Sequence, residues 1–383
     1  MEQQRTKSQQ ILTNVPGILL SLGVILIGIY LADLLGLFLI QLNVLPTGSA
    51  SPISGIFVAI LLGILIRNTI GISAVFINGV QYALKYLLRA GIILLGLRLS
   101  LAEALKLGAW GLPLIILCIS SGLAVTLYFT KKLNQSRRLG TLTACGTGIC
   151  GVTAIMATAP VVRAKDDEIS YAVASITIFG LVSMLFYPYI ANLFFSEDPV
   201  KAGLFLGTAI HDTAQVTGAA LIYDQMYDME KVIDVATVTK LTRNLFIIAV
   251  IPFISYIFYK NHETTATEKE RKVPKWHQLI PLFVIGFLLL ALVRTIGDMM
   301  ILRDSSAFGL LDSANWEEFY TSLSSFGSTY LLGAAMAGVG LSTNLKMFKG
   351  LGFKPFLIGL IAAFSVSIVS FILISLFGGF IVL

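Results

Sequence analysis

Long apolar segments alternate with short polar connectors along the whole chain. The apolar segments cover residues 16–40, 50–66, 80–101, 112–130, 140–162, 169–195, 202–222, 232–259, 277–299, 321–343 and 355–380. Many of these eleven segments reach the ~20 residues that an α-helix needs to cross the hydrocarbon core of a bilayer. The pattern predicts an all-α polytopic membrane protein with about 11 transmembrane segments. Residues 1–383 form a single transmembrane domain in this interpretation, with a polar tail at 1–15 and a polar loop at 260–276.

The composition supports a membrane protein rather than a soluble one. Hydrophobic residues make up 56% of the 383 residues and charged residues 13%, about half the charged fraction of a typical soluble domain. The net charge of +6 comes from Lys and Arg in short connectors. Such cations set orientation in the membrane, so they do not indicate nucleic-acid binding. The first apolar segment is too long for a cleavable signal peptide.

The cations of the connectors predict the orientation of the chain. If every segment crosses once, the clusters that precede segment one and follow segments four, eight and ten all lie on one side. These clusters are Arg5 and Lys7; Lys131, Lys132, Arg137 and Arg138; Lys260, Lys269, Arg271, Lys272 and Lys275; and Lys346, Lys349 and Lys354. Because positive connectors face the cytoplasm, we expect a cytoplasmic N-terminus, a cytoplasmic tail and 260–276 loop, and an extracytoplasmic C-terminus.

Two pairs of short segments resemble each other. Gly96–Leu101 and Gly340–Leu345 end segments three and ten, which the count places in opposite directions. Such pairs are typical of the inverted repeats of secondary transporters, although Gly- and Leu-rich segments can also match by chance. Gly146–Cys150 and Gly207–His211 form a second pair, which the same count places in one direction. The two pairs have different separations, so one simple tandem duplication does not explain both.

Gly and Thr interrupt two of the apolar segments. The first reads CGTGICGVTAIMATAP and the second GTAIHDTAQVTG. In a membrane, a chain leaves the helical hydrogen-bond pattern only where protein or a wet cavity shields it. We therefore expect two discontinuous helices whose free N–H groups form a binding site, with close helix packing as the alternative. The predicted substrate-binding residues here are Gly146, Thr147, Gly148, Cys150, Gly151, Thr208, His211 and Gln215.

A titratable pair, His211 and Asp212, lies within the second of these segments. Ionisable groups within membrane segments are costly and are usually functional. Histidine titrates near neutral pH and is suited to carry a proton, and Asp212 could tune it or bind a cation. We therefore expect both residues to couple transport to protons, or less readily to Na⁺. The alternative is a segment that re-enters or lies near an interface, with His211 merely hydrated.

Two further cations, Lys240 and Arg243, lie in the eighth segment and share one helix face because they are three residues apart. Arginine presents a fork of donors that matches oxyanions. Together with two half-helix N-termini, these cations predict a site for a small anion. The alternative is that both side chains extend to the nearer membrane surface.

The same residues carry a resemblance to a known family. The stretches GIILLGLRLSL, GTGICGVTAIMATAPV, GTAIHDTAQVTGAA and VTKLTR resemble the YeiH-like family of bacterial membrane proteins, to which sulfate export has been ascribed indirectly. The resemblance covers nearly the whole chain. It implies a place in the cation–proton antiporter and anion transporter superfamily, with inverted repeats, discontinuous helices, elevator-type movement and a location in the bacterial inner membrane. It points to Gly146–Gly151, Gly207–Gln215, Lys240 and Arg243.

These features favour a secondary transporter of a small anion, either a sulfate- or sulfite-type oxyanion or a small organic acid. An anion channel is one alternative. An intramembrane enzyme that uses His211 and Asp212 is another, less favoured because GxSxG and HExxH motifs are absent. We expect no catalytic residue, no metal site and no cofactor. Cys118, Cys145 and Cys150 lie in apolar segments, which argues against disulfides. The expected partners are the anion, the bilayer and the coupling ion, and a homodimer is compatible with the sequence.

Overall fold

The protein is almost entirely helical, as predicted. The computed structural model describes residues 7–42, 51, 53–260, 281–345 and 353–381. The α-helices are α1 (Lys7–Gln41), α2 (Gly55–Thr69), α3 (Ala74–Tyr82), α4 (Leu88–Leu95), α5 (Leu101–Lys132), α6 (Arg137–Gly148), α7 (Val152–Val162), α8 (Asp166–Phe195), α9 (Pro199–Ala209), α10 (Thr213–Tyr227), α11 (Lys231–Leu245), α12 (Ile247–Lys260), α13 (Leu282–Asp304), α14 (Ser313–Phe326), α15 (Gly333–Ser342) and α16 (Phe353–Phe377).

Short irregular elements connect some of these helices. A π-helical turn, Ala83–Leu87, joins α3 to α4, and a second, Gly327–Leu332, joins α14 to α15. The 3₁₀ turns are Gly96–Arg98 and Gly378–Phe380. Strands β1 (Ser306–Ala307) and β2 (Leu311–Asp312) form a small antiparallel hairpin before α14. The polar connector between segments nine and ten is therefore partly ordered, because Asp312 accepts a hydrogen bond from the Asn315 amide at 2.8 Å and caps α14.

Helices long and apolar enough to cross a membrane number seven among the described residues. They are Thr13–Gln41, Ala74–Arg98, Leu101–Lys132, Asp166–Phe195, Lys231–Phe258, Leu282–Asp304 and Phe353–Phe380. Shorter apolar helices include α2 and α7. Each of the eleven predicted apolar segments corresponds to one of these helices or to a broken pair. The chain is an all-α polytopic membrane protein.

The chain folds into two compact units. Unit 1 comprises Met1–Ala104, Leu221–Glu230 and Ile285–Lys346, and unit 2 comprises Leu105–Ala220, Lys231–Val284 and Met347–Leu383. The prediction that residues 1–383 act as a single domain stays a prediction. Of the predicted polar tail, residues 7–15 belong to α1, and residues 1–6 lie outside the described part of the chain. Of the predicted polar loop, residues 261–276 also lie outside it.

Unit 1 confirms the first predicted inverted pair. Gly91 of α4 lies against Gly327 and Leu332, whereas Gly338 of α15 lies against Leu84. Residue numbers thus rise along one segment as they fall along the other, so segments three and ten pack antiparallel. Both segments also carry a π-helical turn at the matching place, Ala83–Leu87 and Gly327–Leu332. The Gly96–Leu101 and Gly340–Leu345 similarity therefore reflects an inverted structural pair.

In unit 2, α6 and α7 form a hairpin. The N-cap residue Ser136 of α6 hydrogen-bonds Glu168 in the first turn of α8, so α6 and α8 begin at the same end. Only three residues separate the end of α7 from the start of α8. An apolar cluster accordingly joins Leu139 of α6, Val162 of α7 and Ala172 of α8. The predicted fifth segment therefore enters and leaves at one end of the unit.

Helices α9 and α10 repeat this arrangement from the opposite end. Gly203 of α9 lies against Val232 and Val235 of α11, and Gly207 lies against Ala236 and Thr239. Helices α9 and α11 therefore run in the same direction. Because only three residues connect α10 to α11, α10 leads back to the end at which α9 begins. Segment seven thus re-enters, which the sequence had left as an alternative to crossing.

The second similar pair therefore runs in opposite directions, and the predicted common direction was wrong. Only three residues separate the end of α8 from the start of α9, and Phe205 of α9 stacks on Tyr187, two turns back along α8, at 5.4 Å. Helix α9 therefore runs antiparallel to α8 and hence to α6. The prediction assumed that each segment crosses once. Each hairpin instead returns the chain to the side from which it came. The first hairpin therefore inverts the next helix, and the second restores the predicted side of the later cation clusters.

The hairpins predict which connectors share a side of the membrane. We expect a membrane-impermeant maleimide to label Lys132→Cys and Lys165→Cys from one side and Glu197→Cys from the other, because α8 crosses and α6–α7 turns back. All three positions are exposed. The native cysteines are buried, so we expect little maleimide labelling of the protein without these substitutions. Labelling of Lys132→Cys and Glu197→Cys from one side, with Lys165→Cys on the other, would instead indicate that segment five crosses.

Candidate functional site

The tips of the two hairpins are the two breaks that the sequence predicted. Helix α6 ends at Gly148, and Ile149 leaves the helical region with φ −116° and ψ −88°. Helix α9 ends at Ala209, and Ile210 is extended with φ −89° and ψ 143°. Each tip thus exposes the carbonyl end of one half-helix and the amide end of the next, and these ends carry opposite partial charges.

Lys240 of α11 binds the carbonyl groups of both tips. Its Nζ donates to the oxygen of Ile149 at 3.2 Å in the first tip. It also donates to the oxygens of Ile210, at 3.1 Å, and His211 in the second tip. The side chain is only 1% exposed. Lys240 therefore does not extend to the membrane surface, and that alternative is wrong.

Arg243, one helical turn further along α11, also donates to carbonyl groups of both tips, through the N–H groups of its guanidinium. Nε donates to the Gly148 oxygen at 2.9 Å, and Nη2 donates to that of Thr147. Nη1 donates to the oxygens of Thr208 at 2.5 Å and Ile210 at 3.3 Å. The side chain is fully buried. The two cations thus satisfy the last carbonyls of α6 and α9, which no intrahelical donor can reach.

Asp212 lies at the amide ends of the second half-helices. Its Oδ1 accepts a hydrogen bond from the Ala214 amide of α10 at 3.0 Å, and its carboxylate also accepts one from the Val152 amide of α7. Lys240 is close enough to attract it. Asp212 therefore caps one helix of each hairpin. Its neighbour His211 is 1% exposed and faces the Thr147 backbone, but neither ring nitrogen makes a well-formed hydrogen bond within the described residues.

The remaining predicted site residues divide into three groups. Thr147 and Thr208 contribute carbonyls to Arg243, while their hydroxyls bond to Thr143 and Leu204 one turn back. Cys150 and Gly151 lie at the first tip, where Cys150 is close to Lys240 and Asp212. Gly146 and Gln215 face α8 instead: Gly146 packs on Ile176, and Gln215 donates to the Thr177 oxygen at 3.3 Å.

We call the point where the tips of both hairpins meet Lys240 and Arg243 the crossing. Two polar contacts at the crossing were not predicted. Asn244 donates to the Thr213 hydroxyl at 3.1 Å and so ties α11 to the start of α10. The hydroxyls of Thr208 and Ser370 are 2.6 Å apart, which brings α16 to the second tip. Ser370 lies in an apolar helix, where Ser367 shares its side of α16 because the two are three residues apart, and this pair of serines is the signal that could have indicated it.

The crossing has a net positive charge. Lys240 and Arg243 contribute about +2 and Asp212 about −1, while the partial charges of about 0.5 at the two carbonyl ends and two amide ends cancel. Counted as formal charges and without His211, these groups leave about one positive charge. Val152, Asp212 and Thr213 are only half-buried and Thr153 is exposed, so the amide ends of α7 and α10 are not fully enclosed among the described residues.

Comparison with known proteins places the chain in a family. A family model described as conserved hypothetical protein 698 matches residues 16–359. A UPF0324 membrane protein of Fusobacterium nucleatum is 32% identical over 347 residues, covering 90% of this chain and 96% of that protein. One of Bacillus cereus is 34% identical over 325 residues, covering 84% and 86%, and one of Streptococcus pyogenes is 33% identical over 345 residues, covering 89% and 96%.

The search of solved structures gave no match. The family relation and the resemblance seen in the sequence agree, since both extend over nearly the whole chain and include the two tips and α11. The chain belongs to the UPF0324, YeiH-like family of membrane proteins.

Proposed function

We propose that the protein is a secondary active transporter of a small anion. The substrate is a sulfate- or sulfite-type oxyanion or a small organic acid, and protons drive its movement. The observation that carries the proposal is the meeting of two oppositely directed hairpin tips at Lys240 and Arg243. Broken helices that meet at buried charges are characteristic of transporter binding sites.

The electrostatics of the crossing favour an anion over a cation. About one positive charge remains after Asp212 and the helix ends are counted. The amide ends of α7 and α10 add donors that point toward a ligand. A cation would have to approach two buried cations that are already bound to the carbonyls it would need.

The opposed hairpins also favour alternating access. Each hairpin connects the crossing to a different end of unit 2, so small movements could open the site to one side at a time. All proposed site residues belong to unit 2, which supports an elevator-type movement of that unit as one body. The cation clusters support a location in the bacterial inner membrane with a cytoplasmic N-terminus.

His211 and Asp212 carry the coupled proton in this proposal. His211 is buried and faces the Thr147 backbone, and neither ring nitrogen makes a well-formed hydrogen bond among the described residues, so a change in its protonation would act on the first tip. It lies beside Asp212, which contacts both hairpins. Proton movement at this pair would therefore act directly on the crossing.

The first test separates coupling from binding. In proteoliposomes, His211→Gln should abolish uptake of labelled sulfate driven by a pH gradient, because glutamine keeps hydrogen-bonding groups but does not titrate. Exchange of labelled for unlabelled sulfate should continue, since exchange needs no net proton movement. The matched control is His262→Gln, which changes a histidine of the polar 260–276 region. Gradient-driven uptake by His211→Gln with an unchanged pH profile would contradict the proton role.

The second test concerns Arg243. Arg243→Ala leaves the carbonyls of Thr147, Gly148, Thr208 and Ile210 without this donor. Because a buried unsatisfied group costs about 1–3 kcal/mol, we expect a loss of at least ~3 kcal/mol in the free energy of unfolding. Arg243→Lys should recover only part of it, since the fork is lost. The measurement is thermal or denaturant unfolding of the purified protein in detergent.

The control for this test is Arg303→Ala. Arg303 is 87% exposed and its ion pair with Asp304 is long, at 3.8 Å, so we expect a change within ~0.5 kcal/mol. If Arg243→Ala unfolded like the wild type, the guanidinium would not be holding the two tips together.

A further inference from the structure

Asp212 occupies the place at which an anion would bind the two hairpins. Its carboxylate accepts hydrogen bonds from the Ala214 amide at the start of α10, at 3.0 Å, and from the Val152 amide at the start of α7. Helix starts of this kind attract anions through their free N–H groups and their positive partial charge. The protein's own carboxylate therefore uses the donors that a substrate oxyanion needs.

The first tip is shaped to receive this carboxylate. Gly151 has φ +66°, a conformation that side chains disfavour. A Cβ at this position would lie 2.7 Å from Oδ2 and 3.0 Å from Cβ of Asp212. Glycine thus lets Asp212 of one hairpin approach the backbone of the other, so the contact depends on both tips.

A second, independent feature indicates that a ligand belongs here. His211 is 1% exposed and faces the Thr147 backbone, but neither ring nitrogen makes a well-formed hydrogen bond within the described residues. Buried polar groups are rarely left in this state without an ion, water or ligand to bind them. A carboxylate offers two oxygens, whereas a tetrahedral oxyanion offers four, more than the two amides alone require.

We propose that Asp212 is a tethered competitor of the substrate, and that an oxyanion binds when one proton neutralises this carboxylate and releases it from the amide ends of α7 and α10. The inference rests on the proposed function and adds to it how binding of the anion is linked to binding of the proton. It favours an anion with three or more acceptor oxygens over a halide.

The charges in this step balance. A hydronium ion of the solvent gives its proton to one oxygen of Asp212 and leaves as water, and that oxygen changes from an acceptor into a donor. The amides of Val152 and Ala214 then donate hydrogen bonds to the anion in its place. Other groups that face the carboxylate are Lys240 of α11 and Cys150 of the first tip, while Arg243 faces His211 and Cys150. No bond other than the O–H bond forms or breaks.

The test measures sulfate binding to the purified full-length protein in detergent by thermal shift and isothermal calorimetry, from about pH 5 to pH 8. Sulfate stays ionised over this range. Wild-type affinity should rise by up to ~10-fold for each unit of falling pH, as linkage to one proton requires. Asp212→Asn should bind at least ~10-fold tighter than wild type at the upper pH, with little pH dependence, and the two should converge at the lower pH.

A second variant protects the test against misfolding. Asp212→Ser keeps a side-chain acceptor for the first turn of α10, because serine is as good an N-cap as aspartate, and it should behave like Asp212→Asn. The matched control is Asp198→Asn. Asp198 caps α9 of the same unit, accepting from the Lys201 amide at 3.0 Å, and its change should leave affinity and pH dependence as in the wild type.

The outcomes separate the two proposals. Tighter, pH-independent binding by Asp212→Asn or Asp212→Ser supports the tethered competitor. Equal or weaker binding by the folded variants, with the wild-type pH dependence retained, overturns it while leaving anion transport intact. If neither wild type nor variants bind sulfate, sulfite or small carboxylates at any pH, the proposed function fails, and the inference fails with it.

Discussion

The structure of unit 2 depends on how the carbonyl ends of two broken helices are satisfied away from water. Helices α6 and α9 both end inside the protein, and their last carbonyls have no partner within the helix. In an apolar environment each such group would be costly. Lys240 and Arg243 supply the missing donors, and because they are one turn apart on α11, they bind both tips at once.

This arrangement explains the small residues around the crossing. Gly203 and Gly207 let α9 lie directly on α11, which brings the second tip within reach of both cations. Gly151 lets Asp212 reach the first tip. Burial of two cations is tolerable because carbonyl dipoles and one carboxylate surround them, and a buried charge with such partners is far less costly than an unpaired one. The groups that hold the tips together are therefore the groups that give the crossing its positive charge.

The two similar sequence pairs have different separations along the chain, which one duplication could not explain. The reason is that each pair belongs to a different unit. Unit 1 contains segments three and ten, related through matching π-helical turns. Unit 2 contains the hairpins α6–α7 and α9–α10, whose tips carry the Gly146–Cys150 and Gly207–His211 similarity. Each unit thus has its own inverted pair, with its own separation along the chain. In the second pair Cys150 corresponds to His211, so the two tips share a backbone break but differ in chemistry.

The sequence by itself determined the helical class, the eleven apolar segments, the two breaks and the cations of α11, because length, hydropathy and interrupted patterns are local properties. It also indicated most of the residues that meet at the crossing, although Gly146 and Gln215 face α8 instead. The direction of the seventh segment and the partners of Lys240 and Arg243 were decided only by tertiary structure. A hairpin and a crossing helix have the same apolar pattern, and only packing such as Ser136 on Glu168 and Gly203 on Val235 distinguishes them. Likewise, a buried cation can bind an anion or a carbonyl, and that choice depends on which backbone ends the fold brings to it.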